Sequence, residues 1–318
     1  MEIFQFLEEN KIDYKTNVLL SALTGMNISG TIPILAKPNT IEQLRFLYSY
    51  VCDSQYSFDI VGGLTNTYLS SSFYRDVLIQ TTKVKDVIIG QDSITVGCGY
   101  NLTKLSKELC NDEVAGYEGF VGIPGTIGAA AINNTGAFTS VMSDVVLSVT
   151  IIDTDGNTHK FSNQDMQYQT RSSFLKGRHF GVLLSVDLDI SKKSVKEEIE
   201  KKVKNYTNIR KLDIDGNRKS LGSIIAGHTL PLLWKEHNVA NIVRKILYMP
   251  FKHTRFRKKV QCVTEFLVLG GVRFIKHCDN IGRFCWTKST TEKDFLDYIQ
   301  FITEKSNNRI KLEIEIKK

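Results

Sequence analysis

The sequence predicts an α+β protein of two domains, and three observations carry that expectation. The chain has 318 residues, enough for two cores that need no covalent staples. Short β-rich runs alternate along it with amphipathic segments of helical period. At residue 191 the composition shifts, as a buried-looking strand gives way to a densely charged stretch. Hydrophobic residues make up 42% and charged residues 24%, the balance of a folded globular chain; a disordered one carries fewer apolar residues and more net charge. The 22 Gly follow no three-residue period, which excludes a collagen-like chain.

Residues 1–11 suggest a short helix. A stronger one is expected over 40–53, where Thr40 can cap the start and Ile41, Leu44, Phe46, Leu47 and Val51 recur on one face. The Phe58–Val61 strand runs into Gly62, Gly63, Leu64, Thr65 and Asn66, and β-rich runs follow at 77–81, 84–89 and 94–98. Asn101 can cap a helix over 101–110. Strands at 145–153 and 159–161 flank Asp155, Gly156 and Asn157, a turn sequence. Residues 180–190 read as a strand and 191–204 as a charged helix with a solvated face. The region beyond is expected to be less regular. Its most basic stretch, 244–259, reads as a surface loop near an anionic ligand. Tyr248, Phe251 and Phe256 lend a nucleic-acid reading less support than that. A helix over 292–305, with Phe295, Ile299 and Ile302 on one stripe, and an alternating strand over 310–316 close the chain.

The net charge of +7 favours anionic partners without naming one. No apolar run is long enough to span a bilayer, and the acidic, amphipathic start is unlike a secretory signal, so a cytoplasmic protein with no membrane partner is expected. The 6 Cys show no C-x-x-C spacing. His277, Cys278 and Cys285 lack a fourth ligand, so no metal site is expected and the thiols read as free.

Two motifs carry chemistry. Adjacent glycines at Gly62 and Gly63 let the backbone turn tightly and bring its N–H groups close to phosphate oxygens, although a double Gly is more often only a turn. About sixty residues on, GIPGTIGAAAINNTGAF (122–138) packs 4 Gly and 4 Ala into 17 positions. Small residues at this density let a backbone press against a flat ligand; they equally suit a glycine turn entering a tightly packed helix.

Together the two motifs resemble the UDP-N-acetylenolpyruvoylglucosamine reductase family, whose members carry G-G-G-S-N and then G-I-P-G-T-V-G-G-A ending in M-N-A-G-A-Y. The resemblance implies an FAD-binding domain of the vanillyl-alcohol-oxidase type, built of two subdomains over 1–190. It also implies a C-terminal α+β substrate-binding domain over 191–318, whose last strand, 310–318, packs back near the flavin. Gly62, Gly63, Leu64, Thr65 and Asn66 would lie at the pyrophosphate. Gly122, Ile123, Pro124, Gly125, Thr126, Gly128 and Ala129, with Asn134, Gly136 and Ala137, would run along the flavin. Neither loop offers a His as a flavin tether, so the FAD would be non-covalent.

Weaker similarities extend along the chain, at 24–30, 171–176, 220–223, 270–281 and 312–317. They imply three catalytic residues. Arg171 would pair with the substrate carboxylate as negative charge builds there. Ser223 would give its hydroxyl proton to the α-carbon, and Glu315 would share a proton beside the same oxygens. The implied activity is NADPH-dependent reduction of UDP-N-acetylglucosamine enolpyruvate to UDP-N-acetylmuramate, by a monomer that binds a nucleotide-sugar and no nucleic acid. Departures leave room for a paralogue acting on another nucleotide-sugar in surface-polysaccharide synthesis, or for a non-catalytic flavin protein. The third Gly of the first motif is Leu64, and Thr170 replaces the usual Tyr. Ile224, Ile225, Ala226 and Gly227 stand where the family reads V-F-K-N-P.

Overall fold

The computed structural model describes residues 2–178, 180–213, 218–227, 229–252 and 256–318. The chain divides into two units. The first comprises Met1–Val18, Thr31–Gly63 and Arg75–Arg210, and the second comprises Leu19–Gly30, Leu64–Tyr74 and Lys211–Lys318. Sequence composition puts the junction at 191, but the charged helix that begins the C-terminal third, Lys196–Asp213, belongs almost wholly to the first unit. Ile199 is buried, Lys202 reaches the buried Glu118 at 3.3 Å, and the Tyr206 ring stacks on Phe138 at 4.2 Å. The charges on this helix surround an anchoring stripe, so it is more than a solvated face.

In the first unit every residue of the Val77–Gln80 strand is buried, which explains its uninterrupted apolar run. It lies parallel to Thr31–Lys37 on one side and Phe58–Val61 on the other; Asp13–Leu19 completes the four-stranded sheet. The Ile41–Cys52 helix connects the two flanking strands. Thr40 caps it by accepting from the Gln43 N–H, and Leu44, Leu47, Tyr48 and Val51 are its buried face. Phe46, expected on that face, is exposed; it sits a full step round the helix from the stripe through 44, 47, 48 and 51.

A second, antiparallel sheet runs in the order Thr158–Ser162, Val146–Ile152, Val182–Asp189, Ser93–Gly97, Val87–Ile89. The turn at 153–157 forms because the Asp153 carboxylate accepts from the Asp155 and Asn157 N–H groups. Asn101 caps the Leu102–Asn111 helix, accepting from the Lys104 N–H. The expected 84–89 strand is only Val87–Ile89, with 84–86 a connection, and the expected 77–81 run ends at Gln80, where a 3₁₀ turn, Thr81–Lys83, begins.

The second unit pairs segments far apart in sequence. Thr67–Leu69 lies parallel to Glu315–Lys317, so the terminal strand is shorter than the alternation over 310–316 suggests. Lys219–Ser220, Arg283–Trp286 and Cys278–Asn280 form a three-stranded sheet. The region expected to be irregular is helical, with helices at Leu230–Glu236, Asn238–Tyr248 and Arg257–Leu269. The 244–259 stretch is accordingly the end of one helix and the start of the next, not a loop; its residues 253–255 lie outside the described residues. Its cations masked a regular spacing of apolar residues at 239, 242, 243, 246 and 247.

The core of the second unit is aromatic. Tyr68, Phe284, Trp286, Phe295 and Tyr298 contact one another stacked, edge-on or tilted, with centroids 4.5–5.9 Å apart. His277 is sealed against the same cluster, its ring stacked on Phe284 and its Nδ1 3.1 Å from Thr290 Oγ1. Burial lowers its pKa from 6.5, and Asp294 at 3.5 Å only partly offsets this. The unfolded chain therefore takes up the proton first as pH falls, so stability is full above about 6.5 and declines below it. Thermal melts of His277→Gln and the parent protein are expected to diverge in pH dependence below that point, the variant losing part of the acid-side slope.

Candidate active site

Gly62 of the first motif meets the second motif within the first unit. Gly62 ends the Phe58–Val61 strand, and a Cβ placed on it would lie 2.8 Å from Thr126 Oγ1 and 3.8 Å from the Ala129 Cβ. Only a residue without a side chain permits that approach. Thr126 is buried and caps the Ile127–Ile132 helix, its Oγ1 accepting from the Ala129 N–H. Gly122 and Gly125 carry the chain into the helix at φ +91 and +124. Gly128 serves the protein itself: a Cβ there would meet the Cys98 Cβ at 2.8 Å, so its absence lets the helix press onto the end of a strand.

The rest of the second motif is held by its neighbours. Asn134 donates to the Gln169 carbonyl at 2.9 Å and accepts from the Ser143 N–H at 2.9 Å. Gly136 and Ala137 pair with Ser140 and Val141 in a two-stranded ribbon. Arg171 sits at φ +57 in a turn closed by reciprocal Gln169–Ser172 hydrogen bonds, and its guanidinium donates to the Gly136 carbonyl at 2.7 Å. A left-handed Arg costs about 1–2 kcal/mol, a strain found most often where a side chain must be aimed. Arg171 is thus brought onto the motif expected to line the flavin.

Arg210 and Tyr206 also reach this region, and sequence reasoning missed both. A Cβ on Gly122 would lie 3.2 Å from Arg210 Cδ; the guanidinium donates to the Gly119 carbonyl and lies over the Phe138 ring, 5.0 Å from its centroid. Burial lowers the Arg210 pKa. The spacing of Tyr206 and Arg210, four apart on a helix, was the available signal.

Leu64, Thr65 and Asn66 belong to the second unit. Leu64 stands at φ +52, a conformation glycine adopts freely, which explains why the family motif has Gly there. The Leu side chain is buried. Leu64→Gly is expected to relieve about 1–2 kcal/mol of backbone strain and to forfeit more in lost packing, a net loss of about 2 kcal/mol in chemical denaturation. Asn66 is occupied in tying down the terminal strand: its Nδ2 donates to the Glu313 carbonyl at 3.0 Å, and its carbonyl accepts from the Glu315 N–H at 2.9 Å.

That terminal segment also joins the other two predicted catalytic residues. Ile225 bridges Leu312, and the Glu313 N–H donates to the Ile224 carbonyl at 2.8 Å. In this antiparallel register Ser223 falls one step from Glu315. Ser223 is exposed after Gly222 at φ +80, and its Oγ donates to the Ile225 carbonyl at 2.7 Å. Glu315 is exposed, with Lys317 Nζ 3.2 Å and Thr67 Oγ1 3.4 Å from its carboxylate oxygens. The carboxylate is therefore ion-paired. Ile224, Ile225 and Ala226 are buried by this pairing and offer no side-chain donor where the family has Lys and Asn.

A separate cavity of about 520 Å³ opens in the second unit, with Trp234, Lys235, Asn241, Arg244, Lys245 and Glu265 in its wall. The Arg244 guanidinium lies 4.2 Å from the centre of a Trp234 ring, 2.9 Å from Asn241 Oδ1 and 3.4 Å from Glu265 Oε1. Burial raises the Glu265 pKa against the pull of Gln261, the Ile281 N–H and Arg244. Burial pushes the thiols of Cys98, Cys110, Cys262 and Cys285 up to about 12, which leaves them unreactive at neutral pH.

The sequence profile of the FAD binding domain family matches residues 32–162, a span that holds both glycine motifs. The UDP-N-acetylenolpyruvoylglucosamine reductase of Caldanaerobacter subterraneus is 30% identical over 65% of this chain and 67% of its own length. The chain belongs to the UDP-N-acetylenolpyruvoylglucosamine reductase family. The Bacillus pumilus member is 27% identical over 94% of this chain and 90% of its own. The crystal structure of the Thermus caldophilus enzyme superposes with a TM-score of 0.66 at 21% identity, covering 96% of this chain and 99% of that one. The fold is therefore a vanillyl-alcohol-oxidase-type FAD-binding domain with a C-terminal α+β domain, and the protein is a flavin-dependent oxidoreductase of this family.

Proposed function

We propose that the protein reduces the enolpyruvyl ether of a UDP-sugar, UDP-N-acetylglucosamine enolpyruvate, with NADPH as the source of reducing equivalents. The observation that carries this reading is the apposition of Gly62 and Thr126, which brings the Gly62–Gly63 turn against the small-residue segment 122–129. Such a cradle suits FAD: Gly62 and Gly63 would face the pyrophosphate and 122–129 with Asn134, Gly136 and Ala137 the ring system. When bound, FAD supplies the hydride that the β-carbon of the substrate receives.

The chain's own residues supply the rest. Arg171 would hold the substrate carboxylate and stabilise the charge that builds on it. Ser223 would turn its hydroxyl from the Ile225 carbonyl and protonate the α-carbon, late in the step, because a hydroxyl is a weak acid. Glu315 would steady the same carboxylate through a shared proton, for which it must exchange its Lys317 contact. Lys235, Arg244 and Lys245 around the cavity would replace the family's missing phosphate-binding Lys and Asn.

The burial of Ile224, Ile225 and Ala226 favours one further reading, reduction of a different nucleotide-sugar by a paralogue. One experiment separates the two. The purified protein is expected to be yellow, to bleach with NADPH, and to recolour anaerobically on addition of UDP-N-acetylglucosamine enolpyruvate. Bleaching without recolouring would transfer the assignment to the paralogue, and a colourless protein that refuses FAD would remove both.

A further inference from the structure

The Asn238–Tyr248 helix is amphipathic but turned outward. Asn238, Asn241, Arg244 and Lys245 share one face and line the cavity. The opposite face carries Val239, Ile242, Val243, Ile246 and Leu247, at 75, 57, 40, 62 and 42% exposure, and no residue of the helix is buried. Met249, just beyond, is 70% exposed. A helix on a protein surface normally buries its apolar stripe, because leaving such a face in water forfeits about 25 cal/mol for each Å². A contiguous stripe of this kind marks a surface that another body covers.

Charge identifies that body. Beyond the helix, and apart from the cations of the cavity, residues 252–259 contain five Lys and Arg (252, 255, 257, 258 and 259) and no Asp or Glu. Lys245, Lys252 and Lys259 are exposed. A second copy docking symmetrically on the stripe would bring two such clusters together, and like charges oppose that pairing. An apolar stripe with cations at its border is the pattern of a helix lying in the headgroup region of an anionic bilayer. We propose that the outward face of the Asn238–Tyr248 helix, with the exposed Lys252 and Lys259 beyond it, docks on an anionic lipid surface. Among the described residues no helix is long and apolar enough to cross a membrane, and a helix lying on one needs no such span.

Flotation of the full chain with vesicles tests this. Binding is expected to vesicles of phosphatidylglycerol and phosphatidylcholine in equal parts, to be weak on pure phosphatidylcholine, and to fall in high salt. Ile242→Ser combined with Ile246→Ser is expected to lower binding about tenfold or more, and Lys252→Gln and Lys259→Gln about fivefold each. Both isoleucines are exposed, so thermal melting of the variant should match the parent and separate lost docking from lost folding. No binding to the anionic vesicles, or binding that the isoleucine variant retains, overturns the proposal. A dimer in light scattering that the isoleucine variant dissolves, without vesicle binding, overturns it in favour of self-association.

Discussion

Gly62→Ala should purify nearly free of flavin while keeping its secondary structure. The added methyl would sit 2.8 Å from Thr126 Oγ1, inside the contact distance of real side chains. Thr126 cannot swing aside freely, because its Oγ1 holds the first turn of the Ile127–Ile132 helix; losing that cap costs about 1 kcal/mol. The clash is therefore relieved by parting the two loops, and the parted loops no longer present a continuous backbone surface. We expect flavin content to fall more than tenfold, read as the ratio of visible flavin absorbance to protein absorbance, with an unchanged far-ultraviolet circular dichroism spectrum. Thr126→Ala removes the atom that clashes, so adding it to Gly62→Ala should restore part of the flavin. Full flavin occupancy in the single variant would show that loop apposition does not govern cofactor binding.

The loops themselves were legible in the sequence because glycine has few substitutes where backbones must touch. Gly62 and the 122–129 run announced a close approach, and the structure supplies its partner. The dual use of the second motif was not legible: Gly128 is small for the sake of Cys98, on a strand whose nearness no local pattern reveals. Capped helices at 41–52 and 102–111 were legible from Thr40 and Asn101, since a cap is a local event. The parallel pairing of Thr67–Leu69 with Glu315–Lys317 is a contact across almost the whole chain, and short strands leave too weak a pattern to predict it. At Asn238–Tyr248 the sequence misled through its composition. Cations drew attention to charge, while the apolar spacing that defines the helix points away from the protein.

Ser223→Ala should separate the two halves of the proposed reaction. Reduction of the flavin by NADPH involves no proton at the substrate's α-carbon and should be unchanged. Reoxidation by the enolpyruvyl substrate should slow about a thousandfold, within the range that a positioned general acid contributes. The structure makes the substitution a clean one. Ser223 is exposed, and its hydroxyl's hydrogen bond to the Ile225 carbonyl is local, so the fold should lose no more than about 1 kcal/mol. The segment around it is fixed by backbone pairing of Ile224 with Gly282 and Glu313, which does not involve the side chain. Stopped-flow absorbance follows both halves in one preparation. Equal slowing of the two would indicate a distorted protein; no slowing of either would take the proton donor away from Ser223 and leave Glu315, one register step along the neighbouring segment, as the acid to test next.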